Sequence, residues 1–185
     1  KAQEVLNKLP RRNVISWSTL IAGYAQQRLG HEALTTFEQM QLDGVSPDAI
    51  TLLCLLNACC QSGLLDEAQI YYENMSQKYG ITPKLEHHTC MVVAFGCAGH
   101  FDKAMSVIKT MPLFDDPSVW LALLDACRIH GDIDKGRYVF QWIITYWPNC
   151  SQAYVVLSNM YAQAGMWDEV LKIRDEMRDA LVVSD

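Results

Sequence analysis

The sequence predicts an all-α fold, a solenoid of helix-turn-helix repeats, and three observations predict it. The first is a returning frame: around Ala33 a leucine stands thirteen residues earlier (Leu20), an aromatic nine earlier (Tyr24) and a methionine seven later (Met40). The frame fits again around Ala68 (Leu55, Cys59, Met75), Ala104 (Met91, Phe95, Met111), Gly136 (Leu123, Cys127, Ile143) and Val170 (Leu157, Tyr161, Met177). A partial copy opens the chain at Ala2 with Leu9. The anchors are spaced by 31, 35, 36, 32 and 34 residues, the period of stacked units that bury apolar surface between neighbours. The second observation is helical periodicity inside each unit, as in Trp17, Leu20, Ile21 and Tyr24 at i, i+3, i+4 and i+7. The third is punctuation: Gly63, Gly99, Gly131 and Gly165 each precede their anchor by five residues, where a tight turn between helices needs positive φ.

Taken in order, residues 1–13 read as the second helix of a short repeat, with Val5, Leu6 and Leu9 on one face and Pro10 ending it. Residues 14–48 form a full repeat whose second helix carries Ala33, Leu34, Phe37 and Met40. Gly44 and Pro47-Asp48 close that helix and turn the chain onward. Arg28 stands where the other repeats have a turn glycine, and Gly30 is expected to serve instead. Residues 49–84 and 85–116 repeat the plan at different lengths. Asp66-Glu67, Asp102, Asp132 and Asp168-Glu169 begin second helices, where negative charge favours the positive end of the helix dipole. From Pro117 the pattern changes subtype over 117–150 and 151–184, with Trp142, Trp147 and Trp167 adding aromatic surface, either inter-repeat core or a partner face.

Half the 185 residues are apolar and 19% are charged, the composition of a packed chain rather than a disordered one. No apolar run approaches a membrane span, and no membrane partner is expected. The net charge is −6, so a bulk electrostatic hold on nucleic acid is not expected, because counterion release needs clustered Lys and Arg. Seven cysteines without a C-x-x-C spacing read as reduced thiols. No nucleophile–base pair, phosphate loop or metal set is present, which argues against an enzyme and against a cofactor. His87-His88 does not make a metal site, since adjacent histidines diverge at a helix start; exposure or RNA contact is expected there.

Trp17-x-x-Leu20, Tyr24, Ala33, Phe37 and Pro47 fit the tetratricopeptide pattern as well. Gly23 directly before Tyr24, the closing Gly-Val-Ser-Pro-Asp and the ordered alternation of lengths separate the two. So do Asn57-Ala58-Cys59, Leu64-x-Asp66-Glu67-Ala68, Tyr79-Gly80-Ile81-x-Pro83, Glu86-His87, Ala126-Cys127-Arg128-Ile129-His130-Gly131 and Leu157-Ser158-Asn159-Met160-Tyr161-Ala162. On these residues the chain resembles the pentatricopeptide repeat family, in its plant subclass of P-type, long and short motifs. Residues 1–13 resemble the end of a short motif, 14–48 a P-type motif, 49–84 a long motif and 85–116 a short motif; 117–150 and 151–184 resemble the two E motifs.

The resemblance implies a right-handed superhelix whose first helices line a groove for single-stranded RNA, one nucleotide per repeat. In the family the fifth and last residues of a repeat read the base and the second packs beside it. Carried over, these are Ile15, Ser18 and Asp48 in the P-type motif, Ile50, Leu53 and Lys84 in the long motif, and Glu86, Thr89 and Asp116 in the short one. Guanine is expected opposite Thr89/Asp116, and a purine, guanine by preference, opposite Ser18/Asp48. There hydroxyl and carboxylate accept from guanine N–H groups while the hydroxyl donates in return. Leu53 cannot read a base, so that position is expected to be degenerate, with Lys84 on phosphate. Glu86 departs from the family's apolar second residue.

The E motifs further imply a C-to-U RNA editing factor of mitochondrion or chloroplast that positions or recruits a DYW-type cytidine deaminase. That deaminase needs H-x-E and C-x-x-C, and neither occurs here. A targeting peptide is expected to lie outside this sequence. The alternatives are a protein-interaction scaffold and an RNA stabilisation or splicing factor without editing. The apolar face of Lys1–Pro10 predicts self-association through the N-terminal end.

Overall fold

The computed structural model describes residues 13–111 and 116–182, and every regular element among them is helical. In chain order these are α1 (Val14–Gln26), α2 (Gly30–Leu42), α3 (Ala49–Gln61), α4 (Leu65–Glu73), α5 (Met75–Tyr79) and α6 (Leu85–Cys97). They continue as α7 (Phe101–Thr110), α8 (Ser118–His130), α9 (Ile133–Tyr146), α10 (Ser151–Gln163) and α11 (Trp167–Val182). The expected opening helix Lys1–Pro10, with its self-association face, lies outside the described residues.

The repeated frame is the buried frame. Leu20, Leu55, Met91, Leu123 and Leu157 are buried, and so are the anchors Ala33, Ala68, Ala104, Gly136 and Val170. Removing Leu52, Leu55 and Leu56 of α3 from water contributes roughly 2 kcal/mol each before entropy is counted. The chain divides into two compact units, Lys1–Ala94 and Phe95–Asp185, the division falling inside α6. In the first unit α1 packs on α2 and α3, α2 meets α3, and α3 packs on α4. Within the second, α8 packs on α9 and α10, α9 meets α10, and α10 packs on α11. A first helix therefore touches its own second helix and the first helix of the next repeat, which is the stacking rule of an α-solenoid.

Two local features differ from expectation. Arg28 itself takes the left-handed turn, φ 57°, where Gly63, Gly99, Gly131 and Gly165 have φ of 66–78°. Gly30 instead opens α2, where a Cβ would stand 2.7 Å from the Leu64 and Ser62 side chains, so it is needed for close packing. The second helix of the third segment is also broken. Asn74 Nδ2 donates to Ile70 O at 2.7 Å, and α4 gives way to the short α5. On either side of this break Tyr71 and Tyr79 meet Phe37 edge-on, with ring centres 5.4 and 5.9 Å apart, a geometry favoured by the ring quadrupoles. Among the described residues no helix is long and apolar enough to cross a membrane. All seven cysteines are free thiols.

Candidate nucleic-acid interface

The start of α3 brings two of the sequence-predicted readers together. Asp48 is extended, φ −109° and ψ −178°, and caps the helix: its Oδ1 accepts from Thr51 N at 2.8 Å. In return Thr51 Oγ1 accepts from Asp48 N at 3.3 Å and donates to Asp48 Oδ1 at 2.8 Å. This reciprocal cap satisfies backbone donors that the first helical turn leaves unpaired. The Thr51 side chain then reaches the preceding repeat, where Ser18 Oγ lies 2.8 Å from Thr51 Oγ1 and 2.8 Å from Val14 O. Ser18, Thr51 and Asp48 thus form one polar cluster linking α1 to α3. Asp48 is exposed, whereas Ser18 retains only 7% of its surface. Ile15 and Ile50, the second residues of their repeats, are exposed large apolar side chains, available to lie against a flat ring.

The next boundary is built differently. Leu53 is half-buried and Lys84 exposed. His87 takes the place of Thr51, accepting from Lys84 N at Nδ1 (3.1 Å), with Nε2 2.9 Å from Ala49 O. Since Nδ1 accepts, Nε2 carries the proton and donates to that carbonyl. His88 lies with Nδ1 2.6 Å from Tyr72 Oη and its ring edge-on to that ring. Both histidines are buried, contrary to the expectation of exposure or RNA contact. The structural reason is that both fill polar positions between elements of one unit: His87 ties the start of α6 to α3, and His88 ties α6 to α4. Burial, then the neighbouring His87, holds the His88 pKa below its ordinary value, which favours the neutral ring.

Glu86 is exposed and Thr89 half-buried, its Oγ1 donating to Leu85 O at 2.8 Å. Asp116 is exposed, and its Oδ1 accepts from Ser118 N at 2.8 Å ahead of α8. Thr89 and Asp116 belong to different compact units, and each is described within its own. Sequence reasoning named Ser18 and Asp48 but missed Thr51, although Asp48-x-x-Thr51 has the spacing of a helix cap.

The second unit carries a different surface. Trp120 of α8 stacks on Trp142 of α9, and Trp142 on Tyr146, with ring centres 5.5 Å apart and planes within 12° in both pairs. Tyr138, Trp142 and Tyr146 recur every four residues along α9, all exposed, Tyr146 to 56%. Trp167 is exposed as well. These rings are not the inter-repeat core. Such a run of rigid apolar rings with polar edges is the composition of protein-docking surfaces.

Models of two kinds of repeat match the chain: the PPR repeat family over residues 12–61, and the PPR repeat over residues 50–79 and 86–115. A model of the E motif matches residues 130–182. Among curated relatives from Arabidopsis thaliana, the pentatricopeptide repeat-containing protein At2g13600 is 40% identical over 174 residues, covering 94% of this chain and 25% of the relative. The mitochondrial At1g06140 protein is 41% identical over 176 residues, covering 95% and 32%. The chloroplastic ELI1 protein is 37% identical over 182 residues, covering 98% and 29%. The chain therefore spans about a quarter to a third of these relatives. Among solved structures, maize PPR10 superposes with a TM-score of 0.76 at 22% identity, covering 91% of this chain and 25% of that one. PPR10 in complex with an 18-nucleotide psaJ RNA element gives 0.78 at 16% identity, covering 97% and 27%. At these identities the likeness is one of fold.

Proposed function

The chain belongs to the pentatricopeptide repeat family, and on that premise we propose that it is a base-selective module for single-stranded RNA in an organellar C-to-U editing factor. The observation that carries the RNA reading is the Ser18–Thr51–Asp48 cluster. It sets an exposed carboxylate and a serine hydroxyl at one repeat boundary, the residues that the family uses to read a base, with exposed Ile15 and Ile50 beside them. PPR10, similar in fold, has been crystallised with an RNA element. The base preferences proposed are guanine opposite Ser18/Asp48 and, by the family's code, guanine for Thr89 with Asp116. The Leu53/Lys84 position tolerates any base, because Leu53 offers no polar atom.

The role of the second unit rests on the E-motif match and the α9 aromatics. In this reading that face docks a protein of the editing assembly, a DYW-type deaminase or a factor that recruits one. The chain itself binds rather than catalyses. Relatives named mitochondrial and chloroplastic support an organellar address. A pure protein-interaction scaffold is the second reading, favoured by the net charge of −6 and by the same aromatic face. Fluorescence-anisotropy titration at low salt separates the two. The RNAs carry guanine, or uracil or cytosine, at the two reading positions, with one free base between. Tighter binding of the guanine RNA, lost in Thr89→Asn with Asp116→Ser, is the expected result. Equal affinity for all of these RNAs removes the base-reading function, and no binding to any RNA favours the scaffold.

A further inference from the structure

Three short contacts in the cluster share two hydroxyl hydrogens. Ser18 Oγ lies 2.8 Å from Val14 O and 2.8 Å from Thr51 Oγ1, and Thr51 Oγ1 lies 2.8 Å from Asp48 Oδ1. A carbonyl and an ionised carboxylate only accept, so every hydrogen in these contacts comes from Ser18 or Thr51. With the Thr51 hydrogen on Asp48, the Ser18–Thr51 contact is a hydrogen bond only if Ser18 donates to Thr51. With the Thr51 hydrogen on Ser18, Ser18 donates to Val14 O. Both arrangements take up the Ser18 hydrogen inside the protein. What remains for a ligand is a lone pair on Ser18 Oγ and the second oxygen of Asp48, since Oδ1 already accepts from the Thr51 N–H and hydroxyl.

From this accounting we infer that Thr51 is a specificity-determining residue of the first reading position. By holding the Ser18 hydrogen it makes Ser18/Asp48 a surface of acceptors alone. Of the four bases, only guanine carries two adjacent donors on its pairing edge, N1–H and N2–H2. Adenine, cytosine and uracil would each set a ring nitrogen or carbonyl lone pair against one of these acceptors, which leaves a desolvated acceptor unpaired. Serine thus acts here as an acceptor, in place of the two-way hydroxyl that the sequence suggests. The contrast at the next boundary follows the same logic. His87 stands in the place of Thr51 and is bonded to Ala49 O and Lys84 N, so no hydroxyl bridges Leu53 and Lys84.

The inference rests on the RNA reading above, and its test separates the two. Two short RNAs differ only in guanine or adenine opposite Ser18/Asp48, and anisotropy titrations compare the parent chain, Thr51→Val and Thr51→Ser. The parent is expected to favour guanine by roughly tenfold, the value of one good paired edge. Thr51→Val frees the Ser18 hydrogen to meet the adenine ring nitrogen, and the ratio falls to within about twofold of unity. Thr51→Ser restores it, which a role in packing alone would not predict. A parent preference that survives unchanged in Thr51→Val overturns the inference and leaves the RNA reading standing. A parent with no preference, or no RNA binding, overturns the reading and the inference with it. If Thr51→Val melts below the assay temperature, Thr51→Ala reads the same ratio.

Discussion

At the scale of single residues, the turn at Arg28 shows a local conflict that the fold tolerates. A non-glycine side chain in the left-handed region crowds the following carbonyl, at a cost of roughly 1–2 kcal/mol. Arg28 sits there at φ 57° and is exposed. Arg28→Gly is therefore expected to stabilise the chain by about 1 kcal/mol, less whatever glycine adds to the entropy of the unfolded state. A rise in the urea midpoint at unchanged m-value is the signature, and a lower midpoint would mean that the arginine side chain holds the turn. The sequence pointed to this position but misassigned its remedy, because Gly30 lies close by and its true constraint is a neighbour distant in sequence. The same limit hid the burial of His87 and His88. Adjacency in sequence shows which way two side chains diverge on a helix, but not that a carbonyl of α3 and a phenol of α4 wait on either side.

At the scale of elements, one residue carries two jobs that a pair of substitutions can divide. Asp48 caps α3 through Oδ1 and is also the proposed acceptor for guanine. Asn caps a helix about as well as Asp, whereas Ala loses the cap at a cost of about 1 kcal/mol. Asp48→Asn is therefore expected to keep the thermal midpoint within about 2 °C while losing the guanine preference, because its amide brings donors where the carboxylate had none. Asp48→Ala loses both stability and preference. An Asn variant that still discriminates guanine would show that the carboxylate is only a cap. Helix placement was legible from apolar spacing and from Gly and Pro, since both act locally. The α4–α5 break was not, because Asn74 sits inside a sequence with no stop signal. Its side chain turns back on Ile70 O in a unit where Tyr71 and Tyr79 flank one phenylalanine.

At the scale of the whole chain, the repeat was legible because its frame residues are the ones that neighbouring helices bury. The salt bridges between described residues add little to this, since Arg128–Asp125, Lys135–Asp132, Lys172–Glu169 and Arg178–Asp175 all join residues three apart on or beside one helix and are exposed or half-exposed. Charge instead bears on binding. With a net charge of −6, the chain has few cations to set against phosphates, so its RNA affinity must come from ring contacts and base edges. For single strands, log K falls with log salt by about 0.7 per phosphate neutralised. If Lys84 is the phosphate contact beside the degenerate position, Lys84→Ala should lower the slope by about that amount and weaken guanine and non-guanine RNAs alike. An unchanged slope with lower affinity would place Lys84 against a base rather than a phosphate. In that case the Leu53/Lys84 position would read sequence after all, through the one polar side chain it offers.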